Sequence, residues 1–148
     1  MRRFEFSLEK VKRFRESQLR TEETRCSMLQ AAEAQMQQRV AALHSSYANQ
    51  RHAVSRGAEI DGTQLEHLHR FAEFVSIEII RLQKECVALR QELELQMGRV
   101  AACRQRVELL EKLKERERGR WNMESTKEMQ LAAEESFNAR WLRERRPS

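Results

Sequence analysis

The sequence is poor in the residues that make turns. Its 148 residues include 4 Gly and 1 Pro, with 3 Asn and 1 Asp, and aromatic side chains account for only 6%. Sandwiches, barrels and doubly wound sheets need frequent turns or loops, and those turns prefer Gly, Pro, Asn and Asp. The scarcity of these residues therefore argues against folds built on strands and favours long helices.

The sequence also lacks a long hydrophobic run. The longest stretch without an acidic or basic residue, residues 40–50, has 11 residues, whereas a helix needs roughly 20 apolar residues to span a bilayer. Charges interrupt residues 1–13, so no secretory signal is expected there. The 3 cysteines show no CxxC spacing, which is typical of reduced thiols in a cytoplasmic protein.

What remains is a chain of charged and aliphatic residues with one break. Residues 56–63, with the sequence RGAEIDGT, hold two of the 4 Gly and the only Asp. Gly57 is expected to end a first helix in the left-handed conformation, and Thr63 with Glu66 has the spacing of a capping box. The break predicts a turn over residues 56–63. It separates a first helix over about residues 5–55 from a second helix over about residues 64–143.

Each predicted helix carries a heptad pattern. In the second helix, a strict 3,4 spacing over residues 65–110 places apolar residues at 13 of 14 positions, with Gln96 as the exception. In the first helix, the corresponding frame over residues 19–54 is apolar at 8 of 11 positions. Val11 joins that frame only through one extra residue, which predicts a stutter. Such spacing is typical of a left-handed coiled coil.

Two long helices joined by a short turn are expected to fold back on each other. The heptad pattern of the second helix fades after Leu110, which would lie opposite the start of the first helix. The sequence therefore predicts an all-α protein: a long antiparallel two-helix coiled-coil hairpin, forming a single domain over residues 1–148. The second helix overhangs the first from about residue 111. Apolar residues expected to lack an intramolecular partner in this overhang are Trp121, Met129, Leu131, Phe137, Trp141 and Leu142.

Basic charge is concentrated at the open end of this predicted hairpin. Residues 1–20 carry 7 basic and 3 acidic side chains, and residues 99–120 carry 8 and 4. These two segments, together called the basic belt, each have a net charge of +4 in a chain whose total is +5. Such a belt indicates an acidic partner. A solvated face whose charges pair at i, i+4 explains any single residue equally well.

Aromatic residues outside the heptad frame mark a second region, near the turn. Phe74 falls at an outward position and Phe71 flanks the seam, with Tyr47 about one helical turn away across the hairpin. Exposed rings in a chain with few of them are typical of a docking patch. Rings that lie over Lys and Arg stems are the alternative interpretation.

No group of residues with the pattern of an active site is apparent. The sequence has no Gly-rich phosphate loop and no supported Ser/His/Asp set. His67 and His69, near Asp61 and Glu66, do not indicate a metal site, because i, i+2 side chains diverge on a helix. We therefore expect no enzyme activity, no cofactor and no metal.

Two segments carry motifs that are shared with a known protein family. The first is the Phe-x-Phe opening of Phe4 and Phe6, followed by the basic residues of segment 13–15. The second is the run LEKLKER at residues 110–116, with an aromatic residue at Trp121. With these motifs, its length and its single break near residue 60, the chain resembles the FliJ family of bacterial flagellar export proteins. The resemblance covers the whole chain.

The resemblance implies a cytoplasmic component of the flagellar type III export apparatus, with a role in flagellum assembly and motility. Members of this family are antiparallel coiled coils similar to the central stalk of rotary ATPases. They insert their open end into the pore of the export ATPase hexamer, contact the cytoplasmic domain of the export gate and are linked to export chaperones. Contact with the inner membrane would be peripheral, on its cytoplasmic side at the flagellar base, and no nucleic acid is expected as a partner.

On this resemblance, candidate residues fall into two groups. Those for ATPase binding are Arg13, Arg15, Arg104, Arg106, Lys112, Lys114, Arg116 and Trp121. Those for export-gate binding are Tyr47, Phe71, Phe74 and Val75. Three alternatives stay open: the equivalent stalk of a virulence-type type III secretion system, a basic coiled-coil nucleic-acid-binding protein, and a parallel dimer without a hairpin.

Overall fold

The computed structural model describes residues 2–57, 59 and 61–146, and it contains two long helices with no strand among those residues. Helix α1 comprises Glu9–Arg56 (48 residues) and helix α2 comprises Gly62–Glu144 (83 residues). The two helices follow each other in the chain with a short connection and pack against each other. The prediction of an all-α, two-helix hairpin is therefore confirmed.

Helix α1 ends in a tightened turn. The Gly57 N–H donates to the Val54 carbonyl oxygen at 3.3 Å, an i to i−3 bond of the kind that satisfies a terminal carbonyl. No glycine among the described residues has a positive φ. The left-handed conformation predicted for Gly57 is therefore wrong, and residues 58 and 60 of the predicted turn lie outside the described residues.

Helix α2 begins with Asp61 as its N-cap. Its Oδ1 accepts a hydrogen bond from the Thr63 N–H at 3.4 Å, and its backbone oxygen accepts from the Leu65 N–H at 3.2 Å. Asp is a favoured N-cap because its side chain satisfies a backbone donor of the first turn. The helix thus starts at Gly62, and Thr63, predicted as the cap, lies inside the first turn.

The chain forms two compact units. Unit 1 comprises Met1–Leu19 and Cys103–Ser148, and unit 2 comprises Arg20–Ala102. Each unit contains one stretch of α1 and one stretch of α2, and each has its own buried side chains. Neither unit encloses any described side chain completely, because two paired helices cover only one face of each other.

Unit 2 is held together by the predicted apolar seam. The α2 side chains Val75, Leu82, Cys86 and Val100 are buried, and Leu82 is the most buried of them at 3% exposure. All four lie on the 3,4 frame predicted for the second helix, and α1 residues of its own frame, such as Leu29, are half-buried. The heptad pattern therefore identified the contact face correctly.

Polar side chains interrupt this seam at two levels. Gln96 is 3% exposed, and its Nε2 donates to the Glu22 backbone oxygen at 3.0 Å and also to the Glu22 carboxylate. Arg90 Nε donates to Glu33 Oε1 at 2.6 Å. Glu22 of α1 pairs with Gln96 of α2, and the later Glu33 pairs with the earlier Arg90. The two helices of unit 2 are therefore antiparallel. The buried Gln96 favours one register, since a shift would leave its amide unpaired.

Unit 1 combines the start of α1, the later part of α2 and a short non-helical segment. Residues 2–6 are not helical, and α1 begins at Glu9 rather than at about residue 5. The Glu9 N–H donates to the Phe6 carbonyl oxygen at 3.2 Å, which fixes the turn into the helix. Among the described residues of this unit, the buried side chains are those of Phe6, Val107 and Ser125.

The first turns of α1 continue the heptad frame without a stutter. Leu8, Lys12 and Arg15 are half-buried, whereas Val11 is 43% exposed. The spacing from residue 8 through residues 12 and 15 is the same 3,4 alternation that continues into the rest of α1, so the predicted stutter is wrong. Lys12 fits the seam because its aliphatic stem can be covered while its amine stays 3.3 Å from Glu16.

Intramolecular packing of α2 in unit 1 continues past residue 111. Lys114, Glu117 and Trp121 are half-buried, and Ser125 is buried. This packing includes the non-helical segment of residues 2–6, of which residues 5 and 6 were expected to be helical. The exposed part of α2 therefore starts after Ser125, and the described residues 126–146 are all exposed. Over the described residues, neither helix combines the length and the apolar character that a membrane crossing requires.

Candidate binding surfaces

An aromatic contact holds the N-terminal segment against α2 in unit 1. The Phe4 and Trp121 ring centroids lie 6.0 Å apart with the planes tilted by 56°, a favourable arrangement for two rings. The Arg118 guanidinium lies 6.0 Å from the Phe4 ring centroid, within reach of a cation–π contact. Trp121, predicted to lack an intramolecular partner, therefore has one, because the segment before α1 is extended enough to contact it.

An ion pair joins α1 and α2 close to this contact. Lys114 Nζ donates to Glu9 Oε2 at 2.9 Å, and the two side chains are 30% and 33% exposed. The hydrogen bond from Lys114 lowers the pKa of the Glu9 carboxyl, and the nearby Lys12 and Arg13 charges add to this effect. Lys114 thus contributes to the packing of unit 1 and is not simply a solvated cation of the basic belt.

An open cleft lies between the N-terminal segment and α2, and we call it the N-terminal cleft. Two carboxylates, Glu5 and Glu9, and the rings of Phe4, Phe6 and Trp121 contribute to its lining. Five cations also line it: Arg3, Lys10, Arg13, Lys114 and Arg118. Cations outnumber carboxylates, so the cleft favours an anionic ligand, and its rings provide apolar surface next to the charges.

All eight residues predicted for ATPase binding lie in unit 1. Arg13 is strongly exposed and lies 3.9 Å from Glu9, and Arg15 donates to Gln18 Oε1 at 3.0 Å. Lys114 and Trp121 make the internal contacts described above. The other four, Arg104, Arg106, Lys112 and Arg116, are exposed on α2.

Sequence reasoning missed three cations of the N-terminal cleft, namely Arg3, Lys10 and Arg118. Arg118 follows Lys114 by one helical turn, a spacing that could have placed both on one face of α2. Lys10 likewise precedes the predicted Arg13 by one turn of α1. Arg3 had no comparable signal, because its position depends on residues 2–6 being non-helical.

A pair of aromatic side chains forms the centre of the candidate surface in unit 2. The Phe71 and Phe74 rings are stacked with centroids 6.5 Å apart and planes at 30°. Phe74 is 54% exposed, whereas Phe71 and Tyr47 are half-buried. Phe74 also borders a shallow groove with Arg39 and Leu43 of α1. The exposed ring and the groove together offer a partner an apolar contact site.

Val75 does not belong to this surface. It is 5% exposed and forms part of the unit 2 seam, because it occupies a heptad position that faces α1. Its predicted role as a docking residue is therefore incompatible with the packed helices. The exposed apolar residues Ile77, Ile80 and Val87 were not predicted; they lie outside the seam frame.

Metal-binding and redox groups are not prominent in the described part of the chain. Among those residues, no three His, Cys, Asp or Glu side chains come together as a possible metal site. Cys26, Cys86 and Cys103 are free thiols, and Cys86 is buried in the unit 2 seam. His69, which did not indicate a metal site in the sequence, lies 3.1 Å from Glu73 on the surface of α2.

The two-helix hairpin, with a basic cleft in one unit and exposed rings in the other, places the chain among the helical coiled-coil proteins. A comparison with known protein families identifies the family of this chain. The family described as "Flagellar FliJ protein" matches residues 4–146, nearly the whole chain. The chain belongs to this family and is therefore a component of the flagellar export apparatus. Comparisons with curated proteins and with solved structures found no match.

Proposed function

We propose that this protein is a non-catalytic stalk and adaptor of flagellar export, which binds the export ATPase ring through unit 1 and the export gate through unit 2. The observation that carries the proposal is the charge of unit 1. Residues 1–19 hold 6 basic and 3 acidic side chains, and residues 103–120 hold 7 and 4. Such a surface attracts an acidic partner and increases the rate of encounter.

The stalk acts by differential binding. A helical hairpin that contacts several ATPase subunits at once has affinity for the assembled ring and little affinity for a free subunit. Because the hairpin binds the assembled ring and not the free subunit, it shifts the assembly equilibrium toward the ring by mass action. The protein thereby promotes ATP hydrolysis without contributing a catalytic group.

Unit 2 provides the contact with the cytoplasmic domain of the export gate. Phe74 is the exposed aromatic anchor, with Phe71 stacked on it and Tyr47 half-buried on α1. Exposed aromatic side chains contribute large contact areas and are frequent among the residues that dominate binding energy. Two surfaces in different units allow the chain to act as an adaptor between ring and gate.

The proposed adaptor role also includes contact with export chaperones, as the resemblance of the sequence to this family implies. In this role the protein works on the cytoplasmic side of the inner membrane at the flagellar base, held there by the export apparatus. Loss of the protein is then expected to reduce export of flagellar subunits and swimming motility.

Charge reversal tests the ATPase contact. The test variant combines Arg104→Glu, Arg106→Glu, Lys112→Glu and Arg116→Glu, all exposed in unit 1. The control combines Arg25→Glu, Arg51→Glu, Arg56→Glu and Lys84→Glu, all exposed in unit 2. Wild type and control should raise ATP hydrolysis by the cognate export ATPase and increase its hexamer fraction. The test variant should do neither.

Equal loss of stimulation in both variants would mean that total charge matters and that the basic surface of unit 1 has no special role. Wild-type protein that leaves both hydrolysis and hexamer fraction unchanged would contradict the stalk proposal. Salt-dependent binding to duplex DNA at physiological ionic strength, with no binding to the ATPase, would favour the nucleic-acid alternative.

A single substitution tests the gate contact. Phe74→Ala should weaken binding to the cytoplasmic domain of the export gate by about tenfold, the effect of losing roughly 1.4 kcal/mol. Leu95→Ala is the matched control, since Leu95 is also an exposed apolar residue of α2 in unit 2, at 70% exposure. Equal affinities of the two variants in calorimetry would rule out Phe74 as an anchor.

A further inference from the structure

The N-terminal cleft has a lining more specific than a uniformly basic surface. Its walls come from the non-helical segment before α1, the first turns of α1 and the later part of α2. The Phe4 and Trp121 rings meet between these walls at 6.0 Å. Charged and apolar groups therefore alternate within one depression of unit 1.

The cations of the cleft come from three segments of unit 1. Lys10 and Arg13 are one turn apart on α1, and Lys114 and Arg118 are one turn apart on α2, with Arg3 on the preceding segment. Side chains one turn apart have Cβ atoms roughly 5 to 6 Å apart. This spacing suits successive carboxylates on an extended peptide better than a single compact phosphate group.

Internal pairing leaves the cleft with an excess of positive charge. Glu9 accepts from Lys114 at 2.9 Å and lies 3.9 Å from Arg13. Glu5 is the other carboxylate of the lining, against five cations. The apolar rings remain available beside the cations, since Trp121 and Phe4 are only half-buried.

We propose that the N-terminal cleft of unit 1 binds an acidic peptide segment, whose carboxylates pair with Arg3, Lys10 and Arg118 and whose apolar side chain packs on Trp121. The assignment of this cleft as the contact with the ATPase ring rests on the proposed function, because it specifies the chemistry of the ATPase segment that unit 1 recognises. Peptide binding itself requires only this chain.

The two arginine pairs near the cleft allow a matched comparison. Arg3 and Arg118 line the cleft, whereas Arg2 and Arg120 are close neighbours in the sequence that do not line it. The test variant is Arg3→Glu with Arg118→Glu, and the control is Arg2→Glu with Arg120→Glu. Both variants change the net charge equally, so a long-range electrostatic effect acts on both.

A short glutamate-rich peptide containing one leucine is the probe, titrated in low salt and followed by Trp121 fluorescence. All proteins carry Trp141→Phe, so that Trp121 is the only tryptophan. We expect the peptide to change the emission of the parent protein and of the control, with dissociation constants within about threefold of each other. The test variant should bind at least about tenfold more weakly. A lysine-rich peptide of equal length should not bind.

Equal binding by the test variant and the control would overturn the proposal, as would no binding to the parent protein. Tighter binding of a nucleoside triphosphate or of an oligonucleotide than of the acidic peptide would overturn it too. Far-ultraviolet circular dichroism checks that all variants are helical, and the emission of Trp121 without peptide checks that the N-terminal segment still covers this side chain in the test variant.

The peptide experiment and the ATPase experiment fail separately. Peptide binding without ATPase stimulation would retain the cleft as a site for acidic segments and remove the stalk function. Stimulation that is unaffected by Arg3→Glu with Arg118→Glu would retain the stalk function and overturn the cleft as its contact.

Discussion

Units 1 and 2 are built from the same two helices but are stabilised differently. In unit 2, α1 and α2 meet along an apolar seam in which Val75, Leu82 and Cys86 are buried. In unit 1, later seam positions of α2 include the half-buried Lys114, and Phe6 of the N-terminal segment is buried. A heptad pattern suffices where both helices are apolar. Where it fades, a few aromatic and ionic contacts replace it.

The two units also differ in the surfaces they present. Unit 1 combines cations with the rings of Phe4 and Trp121 in one cleft, while unit 2 presents Phe74 beside a shallow groove. Binding at a charged surface relies on long-range attraction, so its strength depends on ionic strength. Binding at an apolar surface depends instead on the area that is buried. We therefore expect ligand binding at the N-terminal cleft of unit 1 to weaken with salt more steeply than ligand binding at Phe74 of unit 2.

The largest effect is expected in the apolar seam of unit 2. Leu82→Ala should lower the free energy of unfolding by about 2 to 3 kcal/mol, because a buried leucine is lost and a cavity is left. Leu95→Ala, an exposed leucine of the same unit, should stay within about 0.5 kcal/mol of wild type. Urea denaturation followed by circular dichroism measures both. Similar values for the two variants would show that the seam does not dominate unit 2.

The buried polar layer of unit 2 should have the next largest effect. Gln96→Ala is expected to cost about 1 to 2 kcal/mol, since the Glu22 carboxylate and backbone oxygen lose their common donor. The double variant Glu22→Ala with Gln96→Ala should cost less than the two single variants together, because the groups interact. Additive costs in the same denaturation experiment would argue that the contact contributes little.

In unit 1, Phe4→Ala should have a smaller and more local effect, about 1 kcal/mol, from loss of the ring contact with Trp121. In a Trp141→Phe background, the emission of Trp121 should shift to longer wavelength as water reaches the indole. Phe14→Ala is the control, because Phe14 is 59% exposed in the same unit. An identical emission spectrum for Phe4→Ala and its parent would show that the N-terminal segment does not cover Trp121.

The smallest effect concerns pH. Because Lys114 lowers the pKa of Glu9, this pair contributes stability above the unfolded pKa of the carboxyl, and that contribution is lost as the pH falls through the folded pKa. Lys114→Met should raise the pKa of Glu9 toward its ordinary value, and Lys112→Met should leave it unchanged. Carboxyl chemical shifts during an NMR pH titration give both values. An unchanged Glu9 titration in Lys114→Met would disprove the pairing.

Much of the fold could be predicted because it depends on short-range periodicity. The 3,4 spacing placed Val75, Leu82 and Gln96 on one face of α2, and all three are buried. The only Asp and two of the few glycines located the turn. The errors occurred where a competing local contact was available: Asp61 replaces Thr63 as the N-cap, and Lys12 replaces Val11 in the seam because a lysine stem can pack as an apolar group.

The candidate sites could be predicted only in part. Net charge along the chain located the basic residues of unit 1, and scarcity made the rings near the turn conspicuous. Neither property tells whether a side chain already has an internal partner. Three predicted residues have internal contacts: Lys114 donates to Glu9, Trp121 contacts Phe4 and Val75 is buried. Two arginines that were not predicted as site residues, Arg3 and Arg118, line the cleft.

The sequence by itself determined two long helices, the position of the turn and the face on which each helix packs. These features repeat every few residues, so a local pattern is enough to specify them. Only the tertiary structure decided that residues 2–6 contact α2, and with that which cations face the N-terminal cleft. Those contacts join residues as far apart in the chain as Glu9 and Lys114, separated by 105 positions. No local periodicity encodes a contact at that distance.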